Sequence, residues 1–316
     1  MNRLREEARH GLRVYMSRSG LSLSAIADEV GYSWHSLRQF NSDARYGDGD
    51  GHLTAKAVLD WMNSHPIPAL KLPGKLHETR ATRDMDAMLE HIKSDGWGIL
   101  YGPSGAQKTF LLEYRFAESA QDPEPALLYI RSSPSGMTPN VLLKRIAAGI
   151  GAPYQQSTEG IRQSVLFAIR RRRRSLALVI DEADGLYRWV ETLETLREIG
   201  DLAQPSVGVA GVGILVVGNE PVTKLFANRR GISFEKWRSR IEQQELRVLG
   251  PSAEEAAGIL AEELGELKEK TVQAIVSGCM VSDPVTRKEY VNVRRLFNSI
   301  RDFKAKRGGH TKARVN

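Results

Sequence analysis

Apolar residues recur along this chain in two rhythms. Through the first sixty residues they return every three or four positions: Leu4, Ala8, Leu12 and Tyr15; Ile26, Ala27 and Val30; Leu37 and Phe40; Val58, Leu59 and Trp61. This spacing predicts amphipathic helices over 4–16, around 26–30, from a Ser33 N-cap through Phe40, and over 53–62. From residue 98 short unbroken apolar runs take over, at 98–101, 126–130, 175–180 and 211–218. Such runs are strands of a parallel sheet covered on both faces. Helical periods separate them over 77–91, from Phe110, over 140–150 and over 161–174. After Gly250-Pro251 the period is helical again, over 253–264, over 266–277 and in a last helix beginning near Val291. Strand and helix in alternation define an α/β core. An all-α module precedes it and a small helical piece follows.

Prolines mark the joints. Pro66, Pro68 and Pro73 fall between the first helices and the core, which makes 64–75 a stiff linker. The expected division is a helical domain over 1–63, the linker over 64–75, the α/β core over 76–249, a helical lid over 250–305 and a basic disordered tail over 306–316. The glycine- and aspartate-rich stretch 46–51 lacks the ligand count of an EF-hand and reads as a loop.

The chemistry concentrates at residues 102–109, Gly-Pro-Ser-Gly-Ala-Gln-Lys-Thr, between the first strand and the helix from Phe110. A strand, a glycine-bearing loop and a helix opening at Lys-Thr are the parts of a phosphate-binding loop. Backbone N–H groups and the helix dipole favour an anion there. Gly102, Pro103, Ser104, Gly105, Ala106, Gln107, Lys108, Thr109 and Phe110 form the expected cradle for ATP. Lys108 would reach the outer phosphates and Thr109 would hold Mg2+. Gln107 departs from the motif, which has its second glycine at that place.

Some seventy residues later the run 175–180 ends in Asp181-Glu182. Two acids at the carboxyl end of a buried strand resemble a Walker B pair, with Asp181 on hydrated Mg2+ and Glu182 polarising the attacking water. Asn219, at the tip of the next strand, resembles the sensor-1 position of AAA+ ATPases, and the alternative is a cap for the following turn. The segment 234–241 resembles the AAA+ box that carries an arginine finger, with Arg240 first and Arg238 second; the alternative is a basic surface helix. Asn292-Val293-Arg294 resembles the opening of a sensor-2 helix, which puts Arg294 on the phosphates and Arg295 as alternate.

In the helical module, a small residue at Ala27, a glycine at Gly31 and apolar Leu37 and Phe40 are what two closely crossing helices need. The pattern resembles the phage-repressor helix-turn-helix, whose second helix would present Ser33, Trp34, His35 and Arg38 to DNA. A small bundle for protein contacts is the competing account. Arg131, with the loop 131–138, and Arg188 are further candidate DNA contacts. The five arginines at 170–174 suit either a helix C-terminus or phosphate contacts.

Charge agrees with a polyanionic partner: 316 residues carry a formal net charge of +7 and a sequence pI near 9.5. The single cysteine, Cys279, makes no internal disulfide. The charged start lacks a signal peptide's apolar core, and no apolar run reaches the roughly 20 residues that span a bilayer. The expectation is a soluble cytoplasmic protein of a bacterial host, with no membrane partner.

Taken in order, these segments resemble the phage Mu B transposition protein family (MuB). The segments are the helix-turn-helix with FNSDARYGDGD and LDWM, then LHETRATRDM, ALVIDEADGL, LVVGNEP, WRSRI and the lid. The resemblance implies a P-loop AAA+ parallel-sheet ATPase core with a small helical lid, preceded by an all-α helix-turn-helix domain. It implies ATP-dependent, largely nonspecific binding of double-stranded DNA as a homo-oligomer, a helical filament or ring. It further implies delivery of that DNA to a transposase, and ATP hydrolysis stimulated by both. ATP would lie between subunits, with Arg240 supplied by the neighbour. A replication initiator or helicase loader shares most of these parts, but bacterial initiators usually carry the DNA module after the ATPase. A non-hydrolysing DNA-binding scaffold is the third possibility.

Overall fold

The structure, a computed structural model, describes residues 2–19, 21–42, 51–65, 72–122, 124–133, 137–153, 155–188, 190–204, 210–219, 234–241 and 244–312. The loop expected at 46–51 lies outside them except for Gly51, as do 66–71 of the linker. The chain divides into two compact units. One comprises Met1–Lys71, His91–Trp97 and Phe116–Leu215; the other comprises Leu72–Glu90, Gly98–Arg115 and Val216–Asn316. Neither is a contiguous stretch.

Four helices open the first unit: α1 (Asn2–Ser19), α2 (Leu23–Val30), α3 (Trp34–Asn41) and α4 (Gly51–Ser64). Ser22 and Ser33 cap α2 and α3 by accepting the Ala25 and Ser36 amides. Gly31 closes α2 at φ 79°, a left-handed angle that glycine adopts without strain. The turn throws α3 across α2, and Ile26, Ala27, Leu37 and Phe40 bury completely against Leu12, Val58 and Trp61. Truncating Phe40 to alanine would cost roughly 3–5 kcal/mol at such a site. The indole N–H of Trp61 donates to Glu29 (2.9 Å), so its one polar atom is satisfied.

The core strands are β1 (Trp97–Tyr101), β2 (Leu127–Arg131), β3 (Leu176–Asp181), β4 (Val212–Gly218) and β5 (Glu245–Arg247), in the order β2-β3-β4-β1-β5. The sheet is parallel. β3 and β4 are buried at every position, as expected of strands covered on both faces. Helices α5 (Arg80–Lys93), α6 (Lys108–Ser119), α7 (Pro139–Gly149), α8 (Thr158–Arg170) and α9 (Val190–Leu202) separate the strands, with α10 (Phe234–Ile241) before β5.

Two expected helices have different ends. α5 begins at Arg80, because Thr79 and Thr82 cap each other through their hydroxyls and amides. His77 turns instead to the lid, its ring nitrogens 3.0 and 3.2 Å from Glu262 and Glu263. α8 stops at Arg170 with Arg171 as its cap, so 172–174 are not helical. Arg172 folds inward and donates to the Pro125 carbonyl (2.6 Å).

In the second unit the lid consists of α11 (Ala253–Leu264), α12 (Glu269–Cys279), the antiparallel pair β6 (Met280–Ser282) and β7 (Glu289–Val291), and α13 (Val293–Lys312). Ser252 and Glu255 form a reciprocal capping box at the start of α11. Ile259, Leu260, Val276, Cys279, Leu296 and Ile300 make its core. α13 runs past residue 306, where a disordered tail was expected, and continues through Gly308 and Gly309 to Lys312 although glycine is a poor helix former. Among the described residues no helix is long and apolar enough to cross a membrane.

Candidate nucleotide and DNA sites

The phosphate loop belongs to the second unit. Gly102 opens it at φ 154°, and a Cβ there would lie 2.0 Å from the Val248 carbonyl oxygen, so no other residue fits. Val248 in turn donates its N–H to the Tyr101 carbonyl (2.7 Å), which braces the loop's entry from the end of β5. At Gly105, φ 87°, a Cβ would meet the Asn292 side chain at 2.5 Å. Asn292 Nδ2 donates to the Ser104 carbonyl (3.4 Å), and the Val293 N–H donates to the Gly105 carbonyl (3.1 Å). The opening of α13 therefore rests on the loop.

Gln107 adopts φ 68°. The sequence motif has glycine here because the backbone is left-handed, and an L-residue pays about 1–2 kcal/mol for that conformation. Its carbonyl accepts the Leu111 N–H (3.0 Å), so α6 winds directly from the strained residue. Lys108 is buried, and its ammonium donates to the Gly102 and Pro103 carbonyls (2.7 and 3.0 Å). A cation is thus held inside its own loop at the N-terminus of α6. Together with glycine positions that admit no side chain, this fits a bound phosphate. Thr109 lies half-buried in the first turn, and Phe110 packs toward Gly74 and Tyr114.

The carboxylate pair belongs to the first unit. Asp181 ends β3 and is 2% exposed. Tyr129 donates its hydroxyl to Oδ2 (2.8 Å), and the Glu182 N–H donates to Oδ1 (2.8 Å). A carboxylate is a hard-oxygen ligand of the kind Mg2+ takes alongside substrate phosphates. Glu182 follows in a left-handed conformation, φ 54°, which turns its side chain away from the line of the strand. Half-exposed, it forms an ion pair with Arg131. The hydrogen bond to Glu182 holds the Arg131 guanidinium's pKa above its ordinary value. Arg131, expected at DNA, is therefore engaged at the carboxylate.

Asn219 is exposed just beyond β4. Arg240 is exposed on α10 while Trp237 and Ile241 are buried, so this short helix offers the arginine outward. Arg294 is exposed one residue after the loop contact. The side chains of Arg238 and Arg188 lie outside the described residues, as do 134–136 of the loop that follows Arg131. Two functional neighbours went unread in the sequence, Tyr129 and Asn292. Asn292 had a signal, since it opens the Asn-Val-Arg run; Tyr129 had none.

On α3, Trp34, His35 and Arg38 are exposed, and the Arg38 guanidinium stands 4.9 Å from the Trp34 ring centroid. Ser33 is exposed as well, but its hydroxyl is committed to the helix cap.

The fold is that of a P-loop AAA+ ATPase: a parallel five-stranded sheet with helices and a phosphate loop after β1. Residues 90–226 match the AAA domain family. Among solved structures, Cdc6p from Pyrobaculum aerophilum is similar with a TM-score of 0.54 at 16% identity, over 77% of this chain and 65% of that one. The Aeropyrum pernix ORC1 protein in complex with DNA gives a TM-score of 0.49 at 19% identity, over 71% of this chain and 59% of that one. The chain thus spans less than two thirds of the length of either. A comparison with curated proteins gave no match.

Proposed function

We propose that this protein is an ATP-dependent DNA-binding AAA+ ATPase that oligomerises on target DNA and delivers it to a transposase. One observation supports this: a single chain joins a glycine-bearing loop with a buried lysine to two crossing helices, the second of which, α3, exposes Trp34, His35 and Arg38.

ATP is the substrate. The backbone of 102–110 would cradle its phosphates, and Lys108 would exchange the Gly102 and Pro103 carbonyls for phosphate oxygens. Magnesium, held through Thr109 and Asp181, would neutralise charge developing on the transferred phosphoryl group. Tyr129 and the Glu182 amide fix Asp181 so that its carboxylate needs no rearrangement. Glu182 would polarise the attacking water once Arg131 lets it go, and Asn219 would orient that water. From the lid, Arg294 would contact the phosphates. Arg240 of an adjacent protomer, or Arg238, would complete the site. A γ-phosphate shared in this way makes assembly depend on the nucleotide.

The second reading, a replication initiator or helicase loader, draws on the same Asn292 opening of α13 against the loop. It requires preference for particular DNA sequences. Fluorescence anisotropy of a random-sequence duplex, at fixed salt with ATP, ADP or no nucleotide, separates the accounts. Tight cooperative binding with ATP alone supports the transposition ATPase. Binding indifferent to nucleotide leaves only a DNA-binding scaffold.

A further inference from the structure

Within the first unit, two basic features that are separate in the sequence meet through α1. Arg13 donates through Nε to the Asn41 side chain (3.0 Å) and through a terminal nitrogen to the Asn41 carbonyl (2.5 Å), at the end of the reading helix α3. Its other terminal nitrogen reaches the Gly151 carbonyl (3.4 Å) beyond α7. One turn earlier Arg9 stands 5.1 Å from the Phe40 ring centroid. Glu6 pairs with Arg171 at the end of α8. Between α1 and the arginine run lies a cleft of about 470 Å³ whose walls carry Arg9, Arg13, Arg171, Arg172 and Arg173.

The charge in this cleft is only partly balanced. Five arginines face three carboxylates, Glu6, Glu7 and Glu124. Glu6 is held by Arg171, whose hydrogen bond lowers the carboxyl's pKa. Arg172 is 9% exposed and donates to the Pro125 and Arg174 carbonyls, with the Glu124 and Asp122 carboxylates partly offsetting the cost of burying its charge. The His10 ring feels the result. Its pKa is lowered by burial first, and then by Arg13 and Arg172. Phe167, 53% exposed, lines one side with the Arg171 guanidinium 5.2 Å from its ring centroid. Guanidinium forks match phosphate oxygens bidentately, which suits a phosphodiester backbone better than scattered surface lysines would.

We propose that this cleft takes the phosphodiester backbone of the same duplex that α3 reads, so that the helical module and the core grip one DNA. The inference rests on the DNA-binding reading above. It assigns the arginine run a task, and it explains why α1 is packed against the core rather than left on a tether. Phosphates entering between Arg171 and Arg173 compete with Glu6 for the Arg171 guanidinium and are repelled by the Glu7 carboxylate on the same wall.

The test uses the full chain with ATP and a random-sequence duplex, titrated by anisotropy across a salt series. Arg171→Gln combined with Arg173→Gln should weaken binding about tenfold and flatten the dependence of log affinity on log salt by about two. Glu7→Gln, which removes an exposed carboxylate from the cleft, should tighten binding about two- to threefold; misfolding cannot produce that gain. Wild-type affinity and slope in both variants would overturn the proposal. If Trp34→Ala with Arg38→Ala abolishes binding while the cleft variants are silent, DNA binding stands and the cleft inference alone falls. If the unmodified chain binds no DNA in any nucleotide state, both fall together.

Discussion

Arg131, the last residue of β2, forms an ion pair with Glu182, the residue that follows β3. A carboxylate held by a guanidinium is aimed at its partner rather than at water. Arg131→Ala should therefore raise ATP turnover severalfold without DNA and shrink any stimulation that DNA gives. Steady-state phosphate release with and without duplex decides it; a fall in basal rate would mean that Arg131 serves the reaction instead of restraining it.

Gln107 stores strain at the position where the motif expects its second glycine. Gln107→Gly relieves about 1 kcal/mol of backbone cost and clears side-chain volume beside the phosphates. Turnover should rise. An unchanged or lower rate in the same assay would show that the glutamine does not limit the site.

Lys108→Ala removes a buried cation whose hydrogen bonds to a phosphate would be charge-assisted, worth roughly 1.5–3 kcal/mol each. Nucleotide affinity should drop by at least tenfold in a titration with fluorescent ADP. Arg240→Ala should leave that affinity nearly intact and reduce turnover by about a thousandfold or more, as for other arginine fingers. Mixing the two inactive proteins should restore activity, because each supplies what the other lacks. No recovery on mixing would place Arg240 outside the reaction.

Asp283 is fully buried at the base of the lid hairpin. Burial alone would raise its pKa, but bonds from Arg247 (2.5 and 3.2 Å) and from Thr286 outweigh it and hold the carboxyl far below the usual range. A lowered folded-state pKa contributes stability that is complete above the unfolded value, near about 3.9, and is lost as pH falls toward the folded one. Thermal midpoints should hold steady down to about pH 4 and drop below it. Asp283→Asn should cost about 3–5 kcal/mol at neutral pH, by stranding Arg247, and flatten that acid limb. A variant that melts like the wild type at pH 7 would show that the pair contributes no net stability.

What the sequence disclosed was whatever is written in local spacing. The helices of the N-terminal module, the cap at Ser33, the buried strands and the phosphate loop all follow from neighbours within one turn or one run. β5, β6 and β7 escaped notice because three residues are too short for an apolar pattern to register. The end of α8 was misjudged because Arg172 finds its acceptor at Pro125, far off in sequence. The Arg131–Glu182 pair was illegible for the same reason, since nothing near Arg131 in the chain announces Glu182. Gln107 is the opposite case: the departure from the motif was plain in the sequence, and the structure shows its backbone in the left-handed region.

Gly102 admits no side chain because a carbonyl from Val248 occupies the space. That carbonyl is made long after the loop itself during synthesis. Until β5 pairs with β1, the Tyr101 carbonyl lacks its Val248 partner and the entry to the loop is unbraced, so the constraint that demands glycine at 102 is imposed by residues added almost 150 positions later.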